Sequence, residues 1–574
     1  MVRLRIGALV AVTAIVFAAC GTAASPSPSA TSPGTSAAPG TSASASAAPS
    51  SEVKEGGSIV VGLPGDMVLA DPSLVSDSNS SYIHLNVIEG LLGVKAGTLS
   101  DIEPVLAEDL PEASADGLTY TFKLRQGIKF HDGTDFNADA VVYNYERQKN
   151  APAELRDAYN YYFGAVFGWA ENSNLESVKA IDASTVEFKL KSPQSNFLIA
   201  QAPLPQFGIQ SPTALKAGDA DNPDPSKSAY AQGQGAGMVG TGPFKFKEWV
   251  PNDHTTIEKN ADYWNPERIP HLDEVIFKPF ADQAAELNAL EAGDIDFAQT
   301  VAPNDIAALQ GNDKFQVVDR GESCNVGGLW MNHTHKPFDN PHIRKAIAYA
   351  LNKQNYIDTF YAGLAEPADN WMPPATQFYK PLNLPTYDPD KAKEEIAAAQ
   401  LDTTGDALTI EFWYPSDVAR PYMPDPKGLA EAIASDLEAV GFTINFKTAG
   451  WRTGYLADEA VGKYPMWLLG WTCDWPGPDN FLVTAFFHFD GDKPGPEFAY
   501  GPPALKAAFD KGLSAATEAD AQAAWNEAQD ILAADLPTVP LVHSKPPAAA
   551  SADLKGFLGA GNLNEPFYPV WLDR

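Results

Sequence analysis

Basic residues, cysteine and long apolar runs are all scarce in this 574-residue chain, and each shortage excludes something. Against 73 Asp plus Glu stand only 40 Lys plus Arg, a formal charge of −33. Proteins that grip a phosphate backbone do so with clustered Lys and Arg that release counterions, and no such cluster occurs, so nucleic acid is excluded as a partner. Only Cys20, Cys324 and Cys473 occur, too few for a disulfide-dense secreted module or a four-cysteine metal site. After residue 20 no stretch of about 18 apolar residues is present, so no later segment reads as a membrane-spanning helix. The hydrophobic fraction of 44% and the aromatic fraction of 11% suit a large buried core, and the length suits more than one domain.

At the amino terminus Arg3 and Arg5 precede an apolar run, 6–19, of the size of a secretory signal core. It ends in Phe17-Ala18-Ala19-Cys20-Gly21, which resembles the bacterial lipoprotein cleavage box, although that box usually has Leu where Phe17 stands. The resemblance implies a signal peptide over 1–19 and a lipid on Cys20. An ordinary signal peptide with an incidental Cys20 is the alternative. Residues 21–51 are built only from Gly, Ala, Ser, Thr and Pro, which cannot offset ordering entropy by burial, so 20–56 is expected to be a tether.

Strand and helix patterns then alternate. Tyr120, Phe122 and Leu124 alternate with polar residues, as do Val186, Phe188 and Leu190, and Asn137 suits the N-cap of a helix between them. Asn340-Pro341 opens an amphipathic helix. Strands are expected at 408–414, 442–447, 466–470 and 539–543, and helices around Leu429–Val440 and 519–534, an order that implies a partly parallel sheet.

Catalytic signals are weak. Gly235, Gly237 and Gly240 fit G-x-G-x-x-G, but no strand precedes them and Thr241-Gly242-Pro243-Phe244 reads as turn into strand, not as a helix start. His333, His335 and His342 lack the partners of a known metal spacing and read as solvated or hydrogen-bonded imidazoles. No P-loop, H-E-x-x-H or G-x-S-x-G occurs, so no catalytic activity, cofactor or metal is expected.

The run 120–133, YTFKLRQGIKFHDG, continuing through Phe136-Asn137-Ala138-Asp139-Ala140-Val141, resembles the solute-binding proteins of peptide ABC importers, as do Thr241-Gly242-Pro243-Phe244, Asp262-Tyr263-Trp264, 285–296 and 341–352. The dipeptide-binding branch is the most similar. The resemblance implies an α/β fold of two lobes, the large class II peptide-binding type with an extra inserted subdomain. Lobe I is expected over 57–98, 215–315 and 536–574, the inserted β-rich subdomain over 99–214, and lobe II over 316–535. It also implies a monomeric extracytoplasmic receptor that captures a dipeptide or short peptide and delivers it to a permease and ATPase complex, held to the membrane by its lipid.

Two motifs carry the expected site. In dipeptide binders an Arg-Pro-Tyr supplies a guanidinium for the ligand carboxylate, and an Asp within Gly-Trp-Thr-x-Asp holds the ligand ammonium. Arg420-Pro421-Tyr422 and Gly470-Trp471-Thr472-Cys473-Asp474 stand there. The chemistry is sound on its own terms: every free peptide carries one ammonium and one carboxylate, and Arg offers a planar fork for the latter. Tyr422, Trp471 and Trp475 are expected to line the ligand, and Asn325 and Gly327 to bring a strand edge close to it. Trp475 and Gly477 depart from the family's usual smaller polar and acidic residues, which alters pocket volume or ligand class. Trp330, Trp371, Trp413, Trp451, Trp467, Trp471 and Trp475 all fall in lobe II; most read as core, while Trp451 and Trp475 could face a ligand, and aromatic platforms suit sugars. An oligosaccharide, a nickel chelate or another small solute is the alternative. Cys324 and Cys473 each adjoin a site motif, and a disulfide between them is left open by the sequence.

Overall fold

The computed structural model describes residues 53–111, 113–235, 237–401, 406–563 and 565–574. The lipidation expected at Cys20, the signal peptide over 1–19 and most of the tether lie outside them. No helix among the described residues is long and apolar enough to cross a membrane.

Two large sheets organise the chain. The first runs in the order Phe315–Val318, Ala548–Ser551, Phe297–Ala298, Ser58–Leu63, Glu274–Pro279, His254–Lys259 and Phe244–Val250. The second runs Ala365–Pro367, Val539–Ser544, Asn325–Met331, Met466–Thr472, Thr409–Pro415 and Thr443–Ala449. Within the second, Thr409–Pro415 lies parallel to both of its neighbours. A third sheet of Thr119–Lys123, Thr185–Leu190 and Leu175–Asp182 builds the inserted subdomain, beside a helix Ala138–Lys149 that Asn137 caps by accepting from the Ala140 amide. Alternation produces these faces: in Thr185–Leu190, Val186, Phe188 and Leu190 are buried while the residues between them are half-buried.

Sheet membership corrects the expected boundaries. Phe315–Val318 pairs within the first sheet and Val539–Ser544 within the second. The chain therefore crosses between the sheets at 319–324 and 545–547, and not at 316 and 536. Arg320, inside the first crossing, ties the two together. Its Nε donates to Glu565 at 2.5 Å, and its Nη1 donates to the carbonyls of Gln299 and of Pro546, which lies on the return crossing.

Each sheet has its own core. Ile59, Val61, Phe277, Phe297 and Phe567 form that of the first, and Leu329, Trp330, Trp371, Phe412, Ile433 and Trp467 belong to that of the second. The inserted subdomain packs around Phe122, Phe163, Phe188 and Phe197, and into this core comes one residue of the second lobe, Trp475. The glycine-rich run beginning at Gly235 is a packing feature. A Cβ on Gly237 would strike the Phe246 ring, and one on Gly242 would lie 2.7 Å from the Val87 carbonyl. No helix follows that run, so it offers no helix N-terminus to a phosphate.

Candidate ligand cleft

Arg420 and Asp474 follow the carboxyl ends of neighbouring parallel strands, Thr409–Pro415 and Met466–Thr472. Loops at such strand ends are where α/β sheets build their binding crevices. A reciprocal pair of backbone hydrogen bonds between Arg420 and Met423 closes the Arg420 loop. The loop is fixed further by the Ser544 hydroxyl, which donates to the Pro421 carbonyl (2.7 Å), and by the Tyr361 hydroxyl, which donates to the Tyr422 carbonyl (2.8 Å).

The Arg420 guanidinium has no carboxylate partner among the described residues, and its Nε is buried without a hydrogen bond. It lies over the Trp451 ring, 4.8 Å from the centroid. In a chain with 73 acidic residues a half-buried arginine without a carboxylate partner stands out, because an unpaired charge drawn out of water is costly.

Asp474 has the opposite need. Tyr162 of the inserted subdomain donates to its Oδ1 at 2.8 Å, and Asn480 donates to its Oδ2 at 3.2 Å. Asn480 is held in that orientation because its Oδ1 accepts from the Asp474 amide (3.0 Å) and from Trp471 Nε1 (3.1 Å). Both donors to the carboxylate are neutral, and no cation pairs with it among the described residues. Burial pushes its carboxyl up to about 6, against the two hydrogen bonds that lower it.

The three imidazoles noted in the sequence are each committed elsewhere: His333 to the Pro537 carbonyl, His335 to that of Gly462 and His342 to Glu395. Among the described residues no cluster of three metal-binding side chains is present.

Comparison with known proteins decides what such a pair of charges belongs to. The pattern of the bacterial extracellular solute-binding proteins, family 5 (middle region), matches residues 101–493. The chain belongs to this family. Its members are the solute-binding proteins of ABC importers, and this family 5 protein is the solute-binding receptor of such an importer. The glutathione-binding protein GsiB of Escherichia coli O1:K1 / APEC is 30% identical over 522 residues, covering 87% of this chain and 91% of GsiB. Among solved structures, DppA from Helicobacter pylori, an ABC transporter-associated periplasmic binding protein in complex with peptide STSA, is 28% identical with a TM-score of 0.73, covering 91% of this chain and 99% of that one. HbpA2 from Haemophilus parasuis is 26% identical with a TM-score of 0.76, covering 90% and 100%.

Of the other residues expected to meet ligand, Asn325, Gly327, Tyr422 and Trp475 are buried in this family 5 protein and Trp471 is half-buried. Asn325 is fully buried and bound to its neighbour: its Nδ2 donates to the Ser544 carbonyl, and its Oδ1 accepts from the Ser544 amide. Through Ser544, whose hydroxyl donates to the Pro421 carbonyl, it steadies the Arg420 loop, and its side chain has no exposed surface in this structure. Gly327 is not on a strand edge, because Asn325–Met331 lies between two neighbours in the sheet. What approaches Gly327 is Tyr422, whose carbonyl would stand 2.6 Å from a Cβ there. Its cross-strand partner Gly470 meets the same residue, with the Tyr422 ring 2.5 Å from a Cβ. The two glycines make a bed for Tyr422, which is itself buried. Gly470→Ala should therefore destabilise the fold by about 1–3 kcal/mol, read as a lowered urea midpoint. It should also weaken ligand binding, because Tyr422 sits two residues from Arg420.

Trp475 has no exposed surface, and its indole is committed to the inserted subdomain's core. Its Nε1 and Asn196 Nδ2 both donate to Asp479 Oδ2 (3.0 and 2.6 Å). Beside it the Ser195 amide and hydroxyl donate to the carbonyls of Leu513 and Gly512. The inserted subdomain thus meets the second lobe through Tyr162, Asn196 and Ser195, flanking Asp474. Trp471 lies half-buried against Asn480. Cys324 and Cys473 form a disulfide with Cα atoms 5.5 Å apart, directly before Asn325 and Asp474.

Sequence reasoning did not find Tyr162, Asn480, Asn196 or Asp479. Tyr162 stands 312 residues from its partner, and no local pattern marks it. Asn480 had a signal in hindsight: an Asn beside Asp479 near two tryptophans and an aspartate can satisfy N–H groups that a tight loop would strand.

Proposed function

We propose that this protein captures dipeptides or short peptides outside the cytoplasmic membrane and delivers them to an ABC permease, gripping the ligand's carboxylate with Arg420 and its ammonium with Asp474. The observation that carries this reading is a pair of opposite, uncompensated charges at the ends of adjacent parallel strands. A zwitterion common to every peptide is the solute that satisfies both, and two fixed anchors favour short ligands over long ones. The tetrapeptide in the Helicobacter pylori relative supports a peptide ligand.

A second reading is glutathione, the ligand in the name of the GsiB relatives. It is also a short peptide with one ammonium, and the same anchors would serve it. An oligosaccharide is less well supported, because of the two tryptophans that could face a ligand Trp475 has no exposed surface and Trp451 is buried with its ring against Arg420. The relatives bind solutes and this chain is read as a binding protein, not an enzyme. Lipid attachment at Cys20, a tether over 20–56, a monomeric state and a place outside the membrane complete the proposal on sequence grounds.

The test is thermal stabilisation of the purified protein. A dipeptide at a hundred times its Kd should add about 2.7 kcal/mol of stability. Dipeptides raising the melting temperature, with cello-oligosaccharides inert, is the expected result. The reverse pattern would overturn the reading, and a response to glutathione alone would decide for the second.

A further inference from the structure

Arg420 is held by something other than a carboxylate, and what holds it is itself built in depth. The Trp451 amide donates to Asp417 Oδ1 at 2.7 Å. The indole stacks on Tyr455 at 5.8 Å with 19° between planes, Tyr455 meets Tyr464 at 5.2 Å, and Tyr464 stacks on Trp413 at 4.4 Å and 17°. The Tyr455 hydroxyl is pinned to the Leu468 carbonyl at 2.7 Å. Trp451, Tyr455 and Tyr464 are all buried, so the indole beneath the guanidinium is backed by packed rings. Strand register delivers the partners to each other. Thr409–Pro415 and Thr443–Ala449 are parallel neighbours, the Ser416 amide donates to the Ala449 carbonyl, and Arg420 and Trp451 follow the two strand ends.

We propose that Trp451 is the positioning residue of the anion end: its ring face holds the Arg420 guanidinium without supplying a negative charge, so that the guanidinium keeps its charge for the ligand's carboxylate. A carboxylate in the same position would consume the guanidinium's N–H donors and cancel the charge. An indole does neither, because the attraction of a cation to a ring face runs along the ring normal and brings no counter-charge. The arginine is thereby fixed without being neutralised. This inference rests on the reading of Arg420 as the carboxylate anchor and adds the group that gives that anchor its geometry.

The experiment measures, by calorimetry, the ratio of affinities for alanyl-phenylalanine and for its C-terminal amide, which differ only in the carboxylate. Wild type should prefer the free acid by tenfold or more. Trp451→Leu should lose most of that preference, on the order of tenfold, through weaker binding of the acid, while the amide binds within about twofold of wild type. Trp451→Phe, which keeps a ring face, should retain most of the preference. A merely structural role would weaken acid and amide alike and leave the ratio unmoved, and that result would overturn the inference. Should the Leu variant fail to fold, Trp451→Phe and Trp451→Met are compared in the same way. A ratio kept by Phe and lost by Met supports the role, and equal ratios contradict it. Arg420→Ala separates this inference from the reading beneath it. If Arg420→Ala abolishes the preference and Trp451→Leu does not, the positioning role alone fails; if Arg420→Ala leaves it intact, the anchor itself is wrong.

Discussion

Asp474→Asn and Arg420→Ala should each weaken dipeptide binding by roughly 10- to 150-fold, the equivalent of one charge-assisted hydrogen bond of about 1.5–3 kcal/mol. The losses differ in their dependence on pH. The carboxyl of Asp474 is pushed up to about 6 by burial, and only its ionised form attracts an ammonium. Wild-type affinity should therefore be full above about pH 6.5 and fall by up to tenfold per unit below 6. Asp474→Asn should be flat across that window. Arg420→Ala, which leaves Asp474 in place, should keep the slope at a lower affinity.

The same shift acts on the unliganded fold in the opposite sense. A carboxyl whose folded pKa lies above its unfolded value near 4 binds more protons when folded, so its contribution to stability declines as pH rises from about 4 to 6. Relative to Asp474→Asn, the ligand-free wild type should lose stability across that rise, while its ligand affinity grows. Asp479, also pushed up to about 6 by burial, accepts from Asn196 and Trp475 at the subdomain contact. Asp479→Asn should leave the binding slope assigned to Asp474 in place. Calorimetric titration from pH 5 to 8 on wild type and the three variants reads the binding slopes, and urea midpoints of ligand-free wild type and Asp474→Asn from pH 4 to 6 read the stability change.

Breaking the disulfide should have the largest effect on stability. Cys324 and Cys473 close a loop with a sequence separation of 149, and a cross-link over a loop of that order constrains the unfolded chain by about 3–5 kcal/mol. The Cys473 amide also donates to the Cys324 carbonyl, beside the paired residues Asn325 and Thr472. The bond therefore anchors the strand end from which Asp474 projects. Cys324→Ser with Cys473→Ser should lower the urea midpoint of the second lobe's transition and loosen binding several-fold. In the unaltered protein, alkylation with and without prior reduction should give masses that differ by two alkyl groups. Equal masses would show two free thiols.

Local structure was legible in the sequence because its causes are local. Val186, Phe188 and Leu190 alternate on one strand face, Asn137 and Asn340 cap the helices that follow them, and each pattern needs only its own neighbours. The two charged residues were legible through a motif shared with a known family. What was misread depended on distant partners. The strand Val539–Ser544 looks like any buried strand, and only pairing with Asn325–Met331 assigns it to the second sheet. Gly327 and Gly470 do announce a close approach, but the sequence cannot say that Tyr422 makes it. Asn325 looked available, yet Ser544 takes both ends of its amide. The column behind Arg420 draws on Trp451, Tyr455, Tyr464 and Trp413, which share no spacing and meet because a strand and a helical turn fold over one another.

The central claim is that both termini of a short peptide are gripped at once, the ammonium by Asp474 and the carboxylate by Arg420. One calorimetric series addresses it most directly: a dipeptide, its N-acetyl derivative and its C-terminal amide titrated into the intact protein at pH 7.5. Affinity should fall at least tenfold on blocking either end, with the N-acetyl loss absent in Asp474→Asn and the amide loss absent in Arg420→Ala. Equal affinities for all three ligands would contradict the account.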